Sequence, residues 1–387
     1  MAKQKKVIRS KYMYKKRSHK GRNTVLFILL IVLLVGLGYI LSREWSKRFG
    51  SDADLSSFPQ SSEESSRNES DNISNETSSE PAMPVSVKAK LLPQVDMTKP
   101  AGELRELFQS YKDDGYGGVY IELKTSDGMV TFDTANEMAM QYGAVSAQPV
   151  ALDNILSAAE DVGLIPIARI SALKDPLAPH VSRSNSYAYE NDTQYNWLDN
   201  EASLGGKPWL NPYMENARKY ISDLCAEAAS RGFELIILEN VNFPTTPYYS
   251  RMGTIQETTT RAGILDQLLE ECQSAAGAVP VISVVNPVDT VLYDMEGRGF
   301  ADVMAEREYA DIAPLLNLDE FRNNALTIRD KLGLSSTVAT GEELVLAELD
   351  AALKQFAPEK LIVVREADWA LIESRINTEN LLYTIFI

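Results

Sequence analysis

The sequence predicts a (β/α)8 barrel. Short β-rich apolar runs alternate with amphipathic helical stretches from Val85 onward, a pattern that implies parallel strands covered by helices. Eight such units in about 300 residues match the size of this architecture. No Gly-rich phosphate loop follows the first strand, as a doubly wound sheet would usually show.

The expected strands are 85–92, 118–125, 164–171, 234–240, 280–286, 310–317, 336–340 and 360–366. Each is a short Val/Ile/Leu-rich run, the residue types that suit a pleated, buried surface. The helical stretches between and after them are 101–113, 151–162, 212–231, 258–276, 289–308, 319–332, 341–356 and 367–376. Asp319 and the Thr340-Gly-Glu-Glu343 string carry capping signals. Cys225 and Cys272, the only cysteines, both fall in expected helices. Two cysteines are no disulfide framework, and two buried free thiols fit better than one bridge between helices.

Three segments precede the barrel at 85–387. Residues 1–23 carry ten Lys/Arg and no acid. Residues 24–41 form an uncharged apolar run, long enough as a helix to span roughly 27 Å. A cleaved signal peptide is the rival reading, but its apolar region is usually about 7–15 residues. The basic excess before the span puts the N-terminus in the cytoplasm and the barrel outside the cell. Residues 42–84 are rich in Ser, Asn and Glu, a composition that cannot offset its ordering entropy, so a disordered stalk is expected.

The formal net charge is −16, although the tail is strongly basic, so the negative charge is concentrated in the body. An acidic body repels phosphate backbones, which argues against nucleic acid as a partner. The chain has two histidines, His19 and His180. That excludes His-rich zinc sites and HExxH proteases, and a Ser-His-Asp triad could use only His180. No metal or organic cofactor is implied.

In such a barrel, function sits in the loops after the C-terminal strand ends. Those positions hold Glu122, Lys124 and Asp127 around the second strand, Arg169 and Asp175 at the third, and Glu239 and Asn242 at the fourth. Asn286, with Asp289 nearby, ends the fifth. Tyr120, Glu122 and Lys124 alternate with Val119, Ile121 and Leu123, so the polar set is expected to face the barrel interior. Glu122 with Lys124 can equally form a buried ion pair, and Asp127-Gly128 can be a turn. Glu239 follows four aliphatic residues with no turn chemistry to explain it. It is the first candidate for a catalytic carboxyl, with Glu122 or Asp127 as its partner. Lys124 and Arg169 would orient or tune these carboxylates.

The third connection, 172–210, is far longer than usual, and long loops tend to be functional. It carries Trp197 and Trp209, with Tyr213 just beyond. Aromatic faces at a barrel mouth suit sugar rings, while carboxylates and amides such as Asp175 and Asn242 suit hydroxyls. The bland alternative is that these rings pack the loop onto the barrel.

The stretches GVYIELKTSDGMVTF, IPIARISALKDPLA, Trp197-Leu198-Asp199, PWLNPY and RGFELIILENVNFP occur in this order over about 118–244. Together they resemble a family of glycoside-hydrolase-like proteins that read roughly VVIDIKDDxG, IARIVVFKDPxLA, WVDPY and GFDEIQFDYIRFP. The resemblance implies a (β/α)8 barrel acting on glycosidic bonds. This chain departs at Glu122 and Glu239, where the family has Asp, at Asn211 in place of Asp, and at Asn242 in place of Arg. The expected protein is thus a single-pass, membrane-anchored extracellular hydrolase of a polysaccharide or cell-wall glycan, using paired carboxyls. A barrel that kept the cleft and lost the chemistry, serving as a glycan-binding module, is the alternative. A structural spacer is the third reading.

Overall fold

The computed structural model describes residues 86–181, 183–253, 258–292, 312–331, 342–355 and 360–387. The tail, the apolar run, the stalk, the expected strand 336–340, with Thr340 and Gly341 of the capping string, and most of the expected helix 289–308 lie outside these residues. Among the described residues no helix is long and apolar enough to cross a membrane.

The strands in chain order are β1 (Val87–Leu91), β2 (Gly118–Lys124), β3 (Val130–Phe132), β4 (Val145–Val150), β5 (Ile165–Ser171), β6 (Ala188–Tyr189), β7 (Asp192–Asn196), β8 (Leu235–Glu239), β9 (Val281–Val285), β10 (Ile312–Leu316), β11 (Leu361–Val364) and β12 (Tyr383–Phe386). The main sheet runs β1-β12-β11-β10-β9-β8-β5-β2-β3-β4, and β1 also pairs with β2. Strands β1, β2, β5, β8, β9, β10, β11 and β12 therefore close a parallel barrel of eight. The expected (β/α)8 barrel is the fold observed.

The closing strand β12 is absent from the expected set. Its Tyr-Thr-Ile-Phe run is strand-favouring, but it is only four residues long. Strands β3 and β4 are further additions. They extend the sheet beyond β2, with β3 returning antiparallel after a tight turn at Gly128, which takes a positive φ. The 172–210 connection also has structure of its own, including the two-stranded β6–β7 ribbon.

Two apolar layers result. Inside the barrel, Ala89, Tyr120, Ile167, Ile237, Val363 and Ile385 form one buried cluster. Between barrel and helices, Val119, Ile121, Leu123, Ile236 and Leu238 join the larger cluster with the helical faces. Strand β8 is buried on both sides, as parallel strands between two layers must be. The helices follow their sequence cues. Helix 152–162 stops at Gly163 in the left-handed region, and Thr260 caps helix 261–276 by accepting from the Gly263 amide. Cys225 and Cys272 are both buried.

Candidate functional site

Alternation along the strands delivers polar residues to the interior at the C-terminal end of the barrel. Arg169 lies opposite Glu122 across β2–β5 and opposite Ile237 across β5–β8, and Glu239 is two residues past Ile237. These three side chains meet. The Arg169 guanidinium donates to both Glu239 oxygens, Nε to Oε1 and Nη2 to Oε2, each at 2.9 Å. Its Nη1 lies 3.1 Å from Glu122 Oε1. Gln94 Nε2 donates to the other Glu122 oxygen at 2.7 Å, and Tyr120 Oη donates to Glu239 Oε1 at 3.3 Å. Burial first, then the Glu239 charge, raise the Tyr120 phenol well above its ordinary range, so it stays protonated. Burial works against the Arg169 charge, but Glu239, Tyr120 and Glu122 together raise its pKa further.

Glu239 and Arg169 open into a cavity of about 290 Å³. Lys174, Asn240, Asn242, Asn286, Asp289, Asn317 and Glu320 are among its walls. The backbone turns sharply at the end of β8. Asn240 has φ 57°, the one non-glycine residue with positive φ among those described, and its Nδ2 donates to Ser171 Oγ at 3.0 Å. Asn tolerates this region better than most residues, and local strain of this kind is concentrated at functional sites. Burial first, and the Glu320 charge second, raise the Asp289 carboxyl to about 6, while Lys174 works the other way.

Several expected residues stand elsewhere. Lys124 does not face the barrel interior. The β2–β5 register shifts between Glu122 and Lys124, so Lys124 pairs with Ile170, a member of the outer layer. This bulge turns its side chain outward. There it meets Asp175 at 3.0 Å and donates to the Ser171 carbonyl at 2.8 Å, with both charged side chains fully buried. The Glu122–Lys124 pair is thus replaced by two pairs, Glu122–Arg169 and Lys124–Asp175. Asp175 also caps helix 177–181, accepting from the Leu177 and Ala178 amides. Neither Lys124 nor Asp175 reaches the cavity.

Asp127 is exposed on the β2–β3 turn, where the Gly128 amide donates back to the Thr125 carbonyl. The turn reading holds for it, and Ser126 is the residue of that turn that lines the cavity. Glu122 belongs to the Arg169 cluster but is not among the cavity walls. His180 is exposed on helix 177–181.

The aromatic wall also differs from expectation. Trp197 is fully buried, with Nε1 donating to the Tyr248 carbonyl at 3.1 Å and its ring edge-on to Tyr187. Trp209 is buried too, with Nε1 donating to Asp199 Oδ2 at 2.9 Å. Lys174, a cavity residue, places its Nζ 5.9 Å from the centre of the Trp209 ring. Tyr213 packs on Phe243, and its hydroxyl donates to the Thr259 carbonyl. These rings fasten the long connection to the barrel, because burying their area outweighs presenting it to water. Asn211 likewise makes an Asx turn before helix 215–230, accepting from the Tyr213 amide. Asn242 does line the cavity.

Two further carboxyls line the cavity: Asp289, noted at a strand end but given no catalytic role, and Glu320, which was not expected there. The signal for Asp289 was its place three residues after Asn286 at the end of β9. Glu320 offered none, since an acid early in a helix usually serves the helix itself.

Residues 94–291 match the family described as "Putative glycosyl hydrolase domain". No curated protein matches the chain. Similar solved structures include a hypothetical protein from Ruminiclostridium thermocellum ATCC 27405, at 19% identity over 50% of this chain and 95% of that one, with a TM-score of 0.44. The catalytic domain of β-amylase from Paenibacillus polymyxa is 10% identical over 78% of this chain and 92% of its own, with a TM-score of 0.44. A glycoside hydrolase family 20 β-N-acetylglucosaminidase is 10% identical over 73% of this chain, which spans about half (52%) of that structure, with a TM-score of 0.40. The family match takes in more than half of the 387 residues, including β2, β5, β8, β9, Arg169, Glu239 and Asp289, and the chain belongs to this glycosyl-hydrolase-domain family.

Proposed function

We propose that this protein is a membrane-anchored extracellular glycoside hydrolase that cleaves a polysaccharide or cell-envelope glycan, with Glu239 as one of two catalytic carboxyls. The observation that carries this reading is Glu239 itself. It stands at the C-terminal end of a barrel strand, aimed by Arg169 and Tyr120, with its carboxylate at the wall of an amide-rich cavity. A carboxylate has about four lone-pair sites, so the bidentate pair orients it while leaving positions for a substrate. Amides of Asn240, Asn242, Asn286 and Asn317 suit sugar hydroxyls. Anchoring and outward orientation rest on the apolar run 24–41 and the basic tail before it.

The bidentate pair also favours the second reading, a glycan-binding barrel, because it occupies two of the Glu239 lone-pair sites that a reacting group would use. Glu239→Gln separates the two. Hydrolysis of wall and plant glycans should fall roughly 100-fold or more with little change in affinity, the scale of acid–base and nucleophilic roles. Weaker binding with no hydrolysis by either form would establish the binding module instead. For the location, protease added to intact cells should release a fragment starting within the stretch 50–84. Survival of the domain until the membrane is broken would refute the topology.

A further inference from the structure

The cavity that holds Glu239 contains a second carboxyl in a different electrostatic setting. Asp289 stands in the first turn of helix 287–292, directly after β9, and lines the same cavity. The charged groups sharing that space are Glu320 from helix 318–331, Lys174 from the loop after β5, Arg169 from β5 and Glu239 from β8. They divide into two sets. Arg169 is taken up by Glu239 and Glu122. Glu320 is held by two amides, accepting from Asn286 Nδ2 and from Asn317 Nδ2. Both amides donate to it and anchor it in the cavity wall. Asp289 is left as the carboxyl beside an anchored anion.

We infer that Asp289 is the proton donor of this cavity, delivering its proton to the departing glycosidic oxygen while Glu239 serves the opposite role. This inference rests on the reading of the cavity as a hydrolytic site. The bond from the anomeric carbon to the glycosidic oxygen breaks, and the oxygen leaves with the electron pair and takes the Asp289 proton. Water supplies the new hydroxyl at the anomeric carbon, and its remaining proton returns the carboxyls to their starting charge. Two carboxyls in different surroundings are how such sites divide acid from base. The raised Asp289 carboxyl agrees with this, since burial and Glu320 keep it protonated to about pH 6.

The test compares leaving groups. A panel of phenyl and 2,4-dinitrophenyl glycosides of common sugars in both anomers is assayed with wild-type protein, Asp289→Asn and Glu239→Gln. Asp289→Asn should lose roughly 100-fold or more on the phenyl glycoside, whose poor leaving group needs a proton, and less than about tenfold on the dinitrophenyl one. Its basic limb near pH 6 should disappear from the kcat/KM profile. Glu239→Gln should lose on both substrates. Should Asp289→Asn fail to fold, Glu320→Gln supplies the check, because removing that negative neighbour should move the wild-type basic limb to lower pH. Equal losses on both substrates with an unchanged limb, or an unmoved limb in Glu320→Gln, would overturn the assignment while leaving the hydrolase reading intact. A wild-type protein that turns over no glycoside would overturn both.

Discussion

Two ion pairs stand near the C-terminal ends of β2 and β5, and they do opposite things. Arg169–Glu239 borders the cavity, with side chains 21% and 12% exposed, whereas Lys124–Asp175 is sealed at 0% and 0%. In sequence they look alike: charged residues at the ends of apolar runs, before Gly- or Pro-containing turns. One bulge in β2 separates them. Without the register shift, Lys124 would follow Tyr120 and Glu122 into the barrel mouth. With it, a lysine that reads as a site residue becomes a strut linking β2, the loop after β5 and, through Tyr220 at 5.9 Å, helix 215–230. Charge at a strand end is therefore a weak indicator of a site, and access to a shared cavity is a stronger one.

The largest effect expected from this comparison is on the sealed pair. Lys124→Met leaves Asp175 charged and buried without its partner, and should cost about 3–5 kcal/mol in denaturant unfolding. The double variant Lys124→Met/Asp175→Asn removes both charges and keeps an Asx cap for helix 177–181, so it should recover much of that loss. A single variant as stable as wild type would break the comparison.

Trp197 tests the long connection in the same way. As a buried ring under the loop, its replacement by Ala should cost about 3–5 kcal/mol. A cleft-wall residue would instead show weaker glycan binding at nearly unchanged melting temperature.

Against these, Glu239→Gln should be mild in stability, about 1–2 kcal/mol by thermal or chemical melting. Glu122 remains on the guanidinium, and one face of the cluster meets the cavity. A loss as large as that of Lys124→Met would mean that Glu239 is chiefly structural.

The smallest expected effect is a pH slope. The Asp289 carboxyl is raised in the folded chain to about 6 from its ordinary value of 3.8. Between these values the folded state binds more protons than the unfolded one, so stability should decline as pH rises from about 4 to about 6. Asp289→Asn should flatten that slope. An unchanged slope in the variant would assign the dependence to other groups.

Much of the barrel was legible because its signals are local. Four successive aliphatic residues at 235–238 can only be comfortable between two apolar layers, and the amphipathic run 152–162 ending at Gly163 states its own helix and stop. Glu239 stood out for the same reason, a charge at the end of a fully buried strand. Arg169 and Asn242 were legible as polar residues near barrel strand ends. The inward direction of Tyr120 and Glu122 followed from period-two alternation.

What the sequence could not decide depended on contacts between distant segments. The bulge that turns Lys124 outward is a property of β2 against β5, and alternation alone predicts the reverse. Trp197 and Trp209 have the composition of a sugar platform, and only the packing of the 172–210 connection on Tyr187, Tyr248 and Asp199 shows their faces are occupied. The closing strand β12 is identified by its partners β1 and β11 rather than by its own four residues. Asp289 and Glu320 lie 31 residues apart on different helices. Their meeting with Glu239 in one cavity is set by barrel closure. Local sequence determines which way a strand or helix turns its own faces, because those preferences act within a few residues. Which charged groups share a low-dielectric space is decided only when the chain has closed on itself.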